Sequence, residues 1–251
     1  MSIARYPDVV CRRENEIQIR GNQSQEARLG ARQRGDERVD WKNIKPIDEK
    51  LRLNIGARFN THPKPRYKGW IGVDAVYKKP NDYQIKHSFP KLMGLAPNTV
   101  DSILTEHFLE HLPERFVKAI LKDCFRILKP SCRIRLAVPD FNHPLYTHMR
   151  EAKKDDNPLH RSMWTVDAIL SSLQEAGFTR IVPMQYWIVY NDHDPTTRSF
   201  QFIERVIDES FGIIKRTPKR DRRNKKNLDW GRLHMTSLVV DAIKLEDGVG
   251  G

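Results

Sequence analysis

Apolar residues recur along this chain in two periods, and the change from one to the other marks out its elements. Leu51-Arg52-Leu53-Asn54-Ile55-Gly56 alternates and ends in glycine, as a strand entering a tight turn would. Trp70 to Val76 reads as a second, buried strand, Tyr83 to His87 as a short third and Val100 to Thr105 as a fourth. The first crossover contains Pro63 and Pro65 and is expected to be a loop or a single turn. From Pro113 to Leu128 the apolar positions Phe116, Val117, Ile120, Leu121, Cys124 and Leu128 fall at helical spacing, with Pro113 suited to the first turn and Lys129-Pro130 ending the run. Cys132 to Asp140 alternates as a fifth strand. Trp164 to Ala176 is a second helical pattern, closed by Gly177 where a left-handed cap is wanted. Phe178 to Val182 then reads as a strand, a polar and basic insertion runs from about 190 to 232, and His234 to Ile243 forms the last strand. Strands alternating with helices predict a doubly wound α/β domain over 49–251, with a mostly parallel sheet covered on both faces.

Residues 1–48 are rich in Arg, Gln, Glu and Asn, bury little apolar surface, and are expected to form a mobile polar arm. The net charge of +12 is unevenly spread, since residues 213–232 hold nine basic and two acidic residues and so carry +7 of it. That stretch, from Lys215 to Lys226, reads as a phosphate-binding segment or as a solvated loop; it lacks the interleaved aromatics of a base-stacking surface, which favours the loop. Cys11, Cys124 and Cys132 cannot all pair and show no C-x-x-C spacing, so neither a disulfide framework nor a cysteine zinc site is expected. No apolar run is long enough to span a membrane, and the first residues lack the apolar stretch of a signal peptide. A cytoplasmic protein is therefore expected.

In a doubly wound sheet, ligands bind beyond the carboxyl ends of the strands, where strand order reverses. Gly56 falls there, and its missing Cβ would let backbone approach a ligand. Asp74, eighteen residues on, stands near the spacing at which a carboxylate accepts hydrogen bonds from ribose hydroxyls. Each alone reads more readily as a turn glycine and a solvated acid. Immediately after the fourth strand comes Thr105-Glu106-His107-Phe108-Leu109-Glu110-His111-Leu112-Pro113.

Together with Asn54-Ile55-Gly56, Gly69-Trp70-Ile71-Gly72-Val73-Asp74, Arg126-Ile127-Leu128-Lys129-Pro130 and Val138-Pro139-Asp140, that segment resembles the class I S-adenosylmethionine-dependent methyltransferases. The likeness is to small members whose motifs read L-N-L-G-C-G, G-W-x-N-V-D, E-H-x-L-E-H and R-V-L-K-P-G-G, and it covers roughly residues 51–180. It implies a Rossmann-like, seven-stranded sheet with S-adenosyl-L-methionine across the ends of the first, second and fourth strands. Asn54, Gly56, Ala57, Arg58, Asp74, Glu106 and His107 would border the cofactor, Gly56 nearest the methionine part and Asp74 at the ribose. Methyl transfer is an in-line displacement on a sulfonium, so alignment of donor and acceptor supplies much of the acceleration.

The chain departs from the family pattern twice. Gly56-Ala57-Arg58 replaces G-x-G, and Lys129-Pro130-Ser131-Cys132 replaces K-P-G-G. Arg58 would either fill the methionine pocket and repel the sulfonium, or pair with the cofactor's carboxylate. His107 is the candidate general base, a role that competes with a purely structural one beside the cofactor. Asp140, His143 and Tyr146, just beyond the fifth strand, are the candidate acceptor-side residues, although His143 next to Pro144 also suits a turn. Tyr186, Trp164 and Trp187 read as core or lid aromatics. His107 to His111 matches H-x-x-E-H, a two-histidine zinc signature, but no third ligand is identifiable and no metal is expected; His111 reads as packing the turn before Pro113 with Glu110 as its partner. The leading expectation is a methyltransferase for an unidentified acceptor, with the 190–232 insertion as part of the acceptor site. The alternatives are a noncatalytic binding protein of the same fold that has lost the cofactor, and a nucleic-acid-binding module using the 215–226 segment.

Overall fold

A computed structural model describes residues 47–58, 68–77, 82–87, 89, 94–146, 159–204 and 237–245. The N-terminal arm up to residue 46, the crossover with Pro63 and Pro65 and the basic segment 215–226 lie outside the described residues. Eight strands form one sheet: β1 (Arg52–Ile55), β2 (Ile71–Asp74), β3 (Gln84–Lys86), β4 (Val100–Glu106), β5 (Leu128–Pro139), β6 (Arg180–Tyr190), β7 (Ser199–Glu204) and β8 (Ser237–Ile243). Their order across the sheet is β3-β2-β1-β4-β5-β8-β6-β7. Strands β1 to β5 pair in parallel, whereas β8 runs antiparallel to both β5 and β6. Hence β6 points the same way as β5. Strand order reverses between β1 and β4, and in sheets of this kind ligands bind beyond the carboxyl ends of the strands at such a point. The architecture is the expected Rossmann-like α/β sheet, with one correction. It has eight strands rather than seven, because Ser199–Glu204, within the expected insertion, pairs antiparallel with β6.

Two helices follow the β4 and β5 ends of the sheet. Helix α1 (Glu114–Ile127) starts after Pro113, which stands at the N-cap, and buries Val117, Ile120, Leu121, Cys124 and Ile127 along one stripe. Helix α2 (Val166–Glu175) is capped by the Thr165 side chain, which accepts from the Ala168 N–H, and buries Val166, Ile169, Ser172 and Leu173. The two helices touch each other, joined by Lys118 reaching Glu175 at 3.0 Å and by the T-shaped packing of Phe125 on Phe178. Gly177 closes α2 at φ +109, and a Cβ there would meet Phe125 at 3.0 Å. Under both helices, Leu53, Ile55, Ile71, Val73, Ile103, Ile134, Leu136, Leu238 and Val240 form the sheet's share of the core.

β8 is held in register by a buried ion pair. Arg135 Nε and Nη2 donate to the two carboxylate oxygens of Asp241, each at 2.6 Å, and the two residues face each other across the β5–β8 ladder. Arg133 adds a third contact to Asp241 at 3.3 Å. The strand ends in Lys244, whose Nζ donates to Asn98 Oδ1 and the Phe125 carbonyl.

Candidate active site

The turn leaving β1 and the acid ending β2 form one corner. Gly56 takes φ +74 and its N–H donates to the Val73 carbonyl at 2.8 Å, which ties the turn to β2. Ala57 is buried and Arg58 is exposed. Asp74, buried at the end of β2, accepts from the Arg58 backbone N–H at 2.8 Å with Oδ2 and from the Val76 N–H at 3.1 Å with Oδ1. One donor on each oxygen leaves further lone pairs on the carboxylate. Arg58 itself adopts φ +50, the left-handed backbone a glycine would favour, so the turn keeps its path although the glycine is gone. Ser131, at the second departure, does the same at φ +60.

The glycine at 56 also has a reason within the chain. A Cβ there would lie 2.1 Å from Cγ of Phe108, whose ring stands against Phe89 in turn. The Phe108 side chain therefore occupies the close approach that the sequence alone would assign to a ligand. Nearby, Asn54 Oδ1 and Thr105 Oγ1 are buried without a hydrogen-bond partner at the ends of β1 and β4. Tyr77, three residues beyond Asp74, has its phenol pushed well above the usual range by burial and then by the Asp74 charge.

At the end of β4, Glu106 pairs with Ala137 of β5, and His107 breaks the strand with φ +47 while its N–H donates to the Ala137 carbonyl at 2.8 Å. This strained bend aims the imidazole between two groups. His107 Nδ1 lies 3.3 Å from Glu110 Oε1, and Nε2 makes a 3.1 Å hydrogen bond with Ser237 Oγ at the start of β8. With Nδ1 protonated toward the carboxylate, Nε2 accepts from the Ser237 hydroxyl. Ser237 and Glu110 are site residues that the sequence reading missed in this role, and Ser237 lies 130 positions away with no local pattern to flag it.

Beyond β5, Asp140 is fully buried, with Oδ1 accepting from the Asn142 N–H at 2.9 Å and Oδ2 from the Trp187 N–H at 2.6 Å. It fastens the β5 exit to β6. His143 packs edge-on against Trp187 and Tyr146, and Tyr146 stacks on Phe141. The structure thus joins Asp140 and His143 through Trp187 and joins His143 to Tyr146, a cluster built as much by packing as by polar contact. Trp164 and Tyr186 are buried, in keeping with core roles.

The described residues also include free Cys124 and Cys132, and burial pushes both thiols upward. No helix among the described residues is long and apolar enough to cross a membrane.

No protein-family profile and no curated protein sequence matches the chain. Solved structures do resemble it. A SAM-dependent methyltransferase from Thermotoga maritima aligns at 13% identity over 79% of this chain and 83% of its own, with a TM-score of 0.49. One from Archaeoglobus fulgidus aligns at 17% identity over 87% and 92%, with a TM-score of 0.46, and one from Methanosarcina mazei at 15% over 80% and 96%, with 0.42. The fold assignment stands on the strand order and registers of the chain itself.

Proposed function

We propose that the chain is an S-adenosyl-L-methionine-dependent methyltransferase whose cofactor lies across the carboxyl ends of β1, β2 and β4. One observation carries the reading: Asp74, at the end of the strand beside the point where strand order reverses, is buried and held by the N–H groups of Arg58 and Val76. A carboxylate fixed in this way has lone pairs left for a pair of ribose hydroxyls. When bound, the cofactor supplies an electrophilic methyl group on a sulfonium.

The chain's own residues fit that group at two of its ends. Asp74 would hold the ribose, and the exposed Arg58 guanidinium would pair with the amino-acid carboxylate, a bidentate geometry arginine favours. His107 would hold a proton between Glu110 and Ser237 and take one from an acceptor that must lose it. Asp140, His143 and Tyr146 would shape the acceptor side, with the insertion beyond β6 as its cover. The two free cysteines among the described residues suit work in a reducing cytoplasm.

Calorimetric titration with S-adenosylhomocysteine tests this reading. Wild type should bind, Asp74→Ala should weaken binding tenfold or more, and Arg58→Gly should weaken it if the guanidinium clamps the carboxylate. A second reading, a noncatalytic protein of the same fold, is favoured by the Phe108 side chain standing against Gly56. It predicts no binding to wild type, with binding gained only in Arg58→Gly or Phe108→Ala.

A further inference from the structure

The turn after β4 brings together more chemistry than methyl transfer needs. Leu109–His111 is a 3-10 turn, and the segment Leu159–Ser162 lies against it through four hydrogen bonds. The N–H groups of Arg161 and Ser162 donate to the Glu110 carbonyl at 2.6 and 3.2 Å, Ser162 Oγ donates to the Leu109 carbonyl at 3.2 Å, and His111 Nδ1 donates to the Leu159 carbonyl at 3.1 Å. This docking places His160 beside His111, with ring centroids 5.2 Å apart. One donor atom each from Glu110, His111 and His160 lies within 4.8 Å of the other two.

Three independent features make this a ligand set rather than a chance cluster. The Glu110 side chain is only 3% exposed, and its Oε2 is buried without a hydrogen-bond partner, while Oε1 is already turned to His107 and His111. A buried carboxylate oxygen left unpaired is costly, and a cation is the partner that would relieve it. Second, the His111 Nδ1 proton is spent on a backbone carbonyl. That fixes the tautomer with an unprotonated Nε2, and Nε2 is the atom that faces Glu110, at 3.9 Å from Oε1. A carbonyl-held imidazole of this kind is how metal-binding histidines are oriented. Third, His111 and His160 are half-exposed, so an ion in solvent can reach them, and donors already within 4.8 Å of one another have only to close to the separation of about 3.4 Å expected around one ion with bonds of about 2.1 Å.

We propose that the Glu110 carboxylate, His111 Nε2 and His160 bind one late first-row divalent transition metal, of which Zn2+ is the type. Two imidazoles and one carboxylate suit such an ion better than Mg2+ or Ca2+, which prefer all-oxygen shells. Three protein donors leave a coordination position open. The site differs from the H-x-x-E-H pairing suggested by spacing: both ring nitrogens of His107 are engaged, Nδ1 with Glu110 and Nε2 with Ser237, and the second histidine comes instead from position 160. The ion would staple the 159–162 segment to the end of β4 and fix Glu110 against His107.

Full-length protein stripped with a chelator, dialysed and titrated with Zn2+ by calorimetry, and with Co2+ by visible absorption, tests the proposal. Wild type should bind one equivalent tightly, with the intense d–d bands of a low-coordinate cobalt site. His111→Ala, His160→Ala and Glu110→Gln should each weaken binding at least tenfold, whereas His107→Ala should leave it within about threefold. No tight binding by wild type, which requires no variant to fold, would overturn the proposal. So would binding that survives His160→Ala or is lost in His107→Ala. No nucleoside takes part in the titration, so its failure is distinct from failure of the methyltransferase reading.

Discussion

The corner where β1, β2 and β4 end and the ladder joining β5, β8 and β6 are built on opposite principles. At the corner, backbone is bent into the left-handed region at Gly56, Arg58 and His107, and Asn54 Oδ1, Thr105 Oγ1 and Glu110 Oε2 are buried with no partner. In the ladder, chain direction is set by long antiparallel registers, Arg135 meets Asp241 with two short charged hydrogen bonds, and Gln185 Nε2 ties β6 to the Ser237 carbonyl. Left-handed backbone and unsatisfied side-chain oxygens sit where a ligand would be taken up, and short charged hydrogen bonds sit where the sheet must hold its shape. Ser237 belongs to both, since its carbonyl serves the ladder and its hydroxyl faces His107.

The largest effect should come from breaking the ladder. Removing one partner of a buried pair strands the other charge, so Asp241→Ala should cost about 3–5 kcal/mol and lower the thermal midpoint by about 10 °C. Replacing both partners, Arg135→Met with Asp241→Leu, should recover most of that loss, because an apolar pair of similar volume strands nothing. Denaturant unfolding of the three proteins measures it. If the single and double variants lose the same amount, the pair is not what fixes β8.

Next in size is the corner's own strain. Gly56→Ala adds a Cβ at φ +74 and drives it into Phe108, so a loss of about 2–4 kcal/mol is expected from left-handed backbone and overpacking together. In a Phe108→Ala background the overpacking part should vanish, leaving about 1–2 kcal/mol. A double-mutant cycle that shows no coupling would mean that Phe108 does not own the space above Gly56.

A smaller effect is set by pH. Burial raises the Cys124 thiol in the native state, so the folded chain keeps a proton that the unfolded chain releases above the ordinary thiol range. The unfolded state then binds fewer protons, and stability falls with rising pH. The contribution is fully present below about pH 8.5 and declines by up to about 1.4 kcal/mol per pH unit above it. Cys124→Val should shed one proton's worth of that alkaline slope in unfolding titrations between about pH 8.5 and 10. Tyr77, raised in the same direction, remains as the internal comparison at higher pH.

How much of this was legible in the sequence differs between the same two regions. The corner was readable because its residues are close in sequence to strand ends: Gly56 lies where alternation stops, Asp74 stands eighteen residues on within the second expected strand, and motif order located Glu106 and His107. The ladder was not. The expected strand stops at Val182, yet β6 runs on to Tyr190, and a register shift against β8 between Pro183 and Gln185 absorbs the proline. Phe200 and Phe202 alternate, but within a polar stretch, and only pairing with Val189 and Trp187 of β6 makes Ser199–Glu204 a strand. The contacts made by Ser237 and His160 come from chain folding over 130 and 49 positions, and no local periodicity encodes them.

The smallest expected effect decides the most about the corner. Arg58 and Ser131 occupy left-handed backbone at positions where the resembled family has glycine. A non-glycine residue there costs about 1–2 kcal/mol, which the surrounding hydrogen bonds must sustain: Arg58 N–H on Asp74 and Ser131 N–H on the Lys244 carbonyl. Glycine removes that cost but adds about 0.5–1 kcal/mol of unfolded-state entropy, so Arg58→Gly and Ser131→Gly should each stabilise by less than about 1 kcal/mol. If both gain equally in unfolding measurements, the two turns are merely strained scaffolds. If Ser131→Gly gains while Arg58→Gly gains nothing and loses S-adenosylhomocysteine binding, the strain at 58 is retained because the guanidinium holds a ligand there, and the corner's departure from glycine is a specialisation rather than decay.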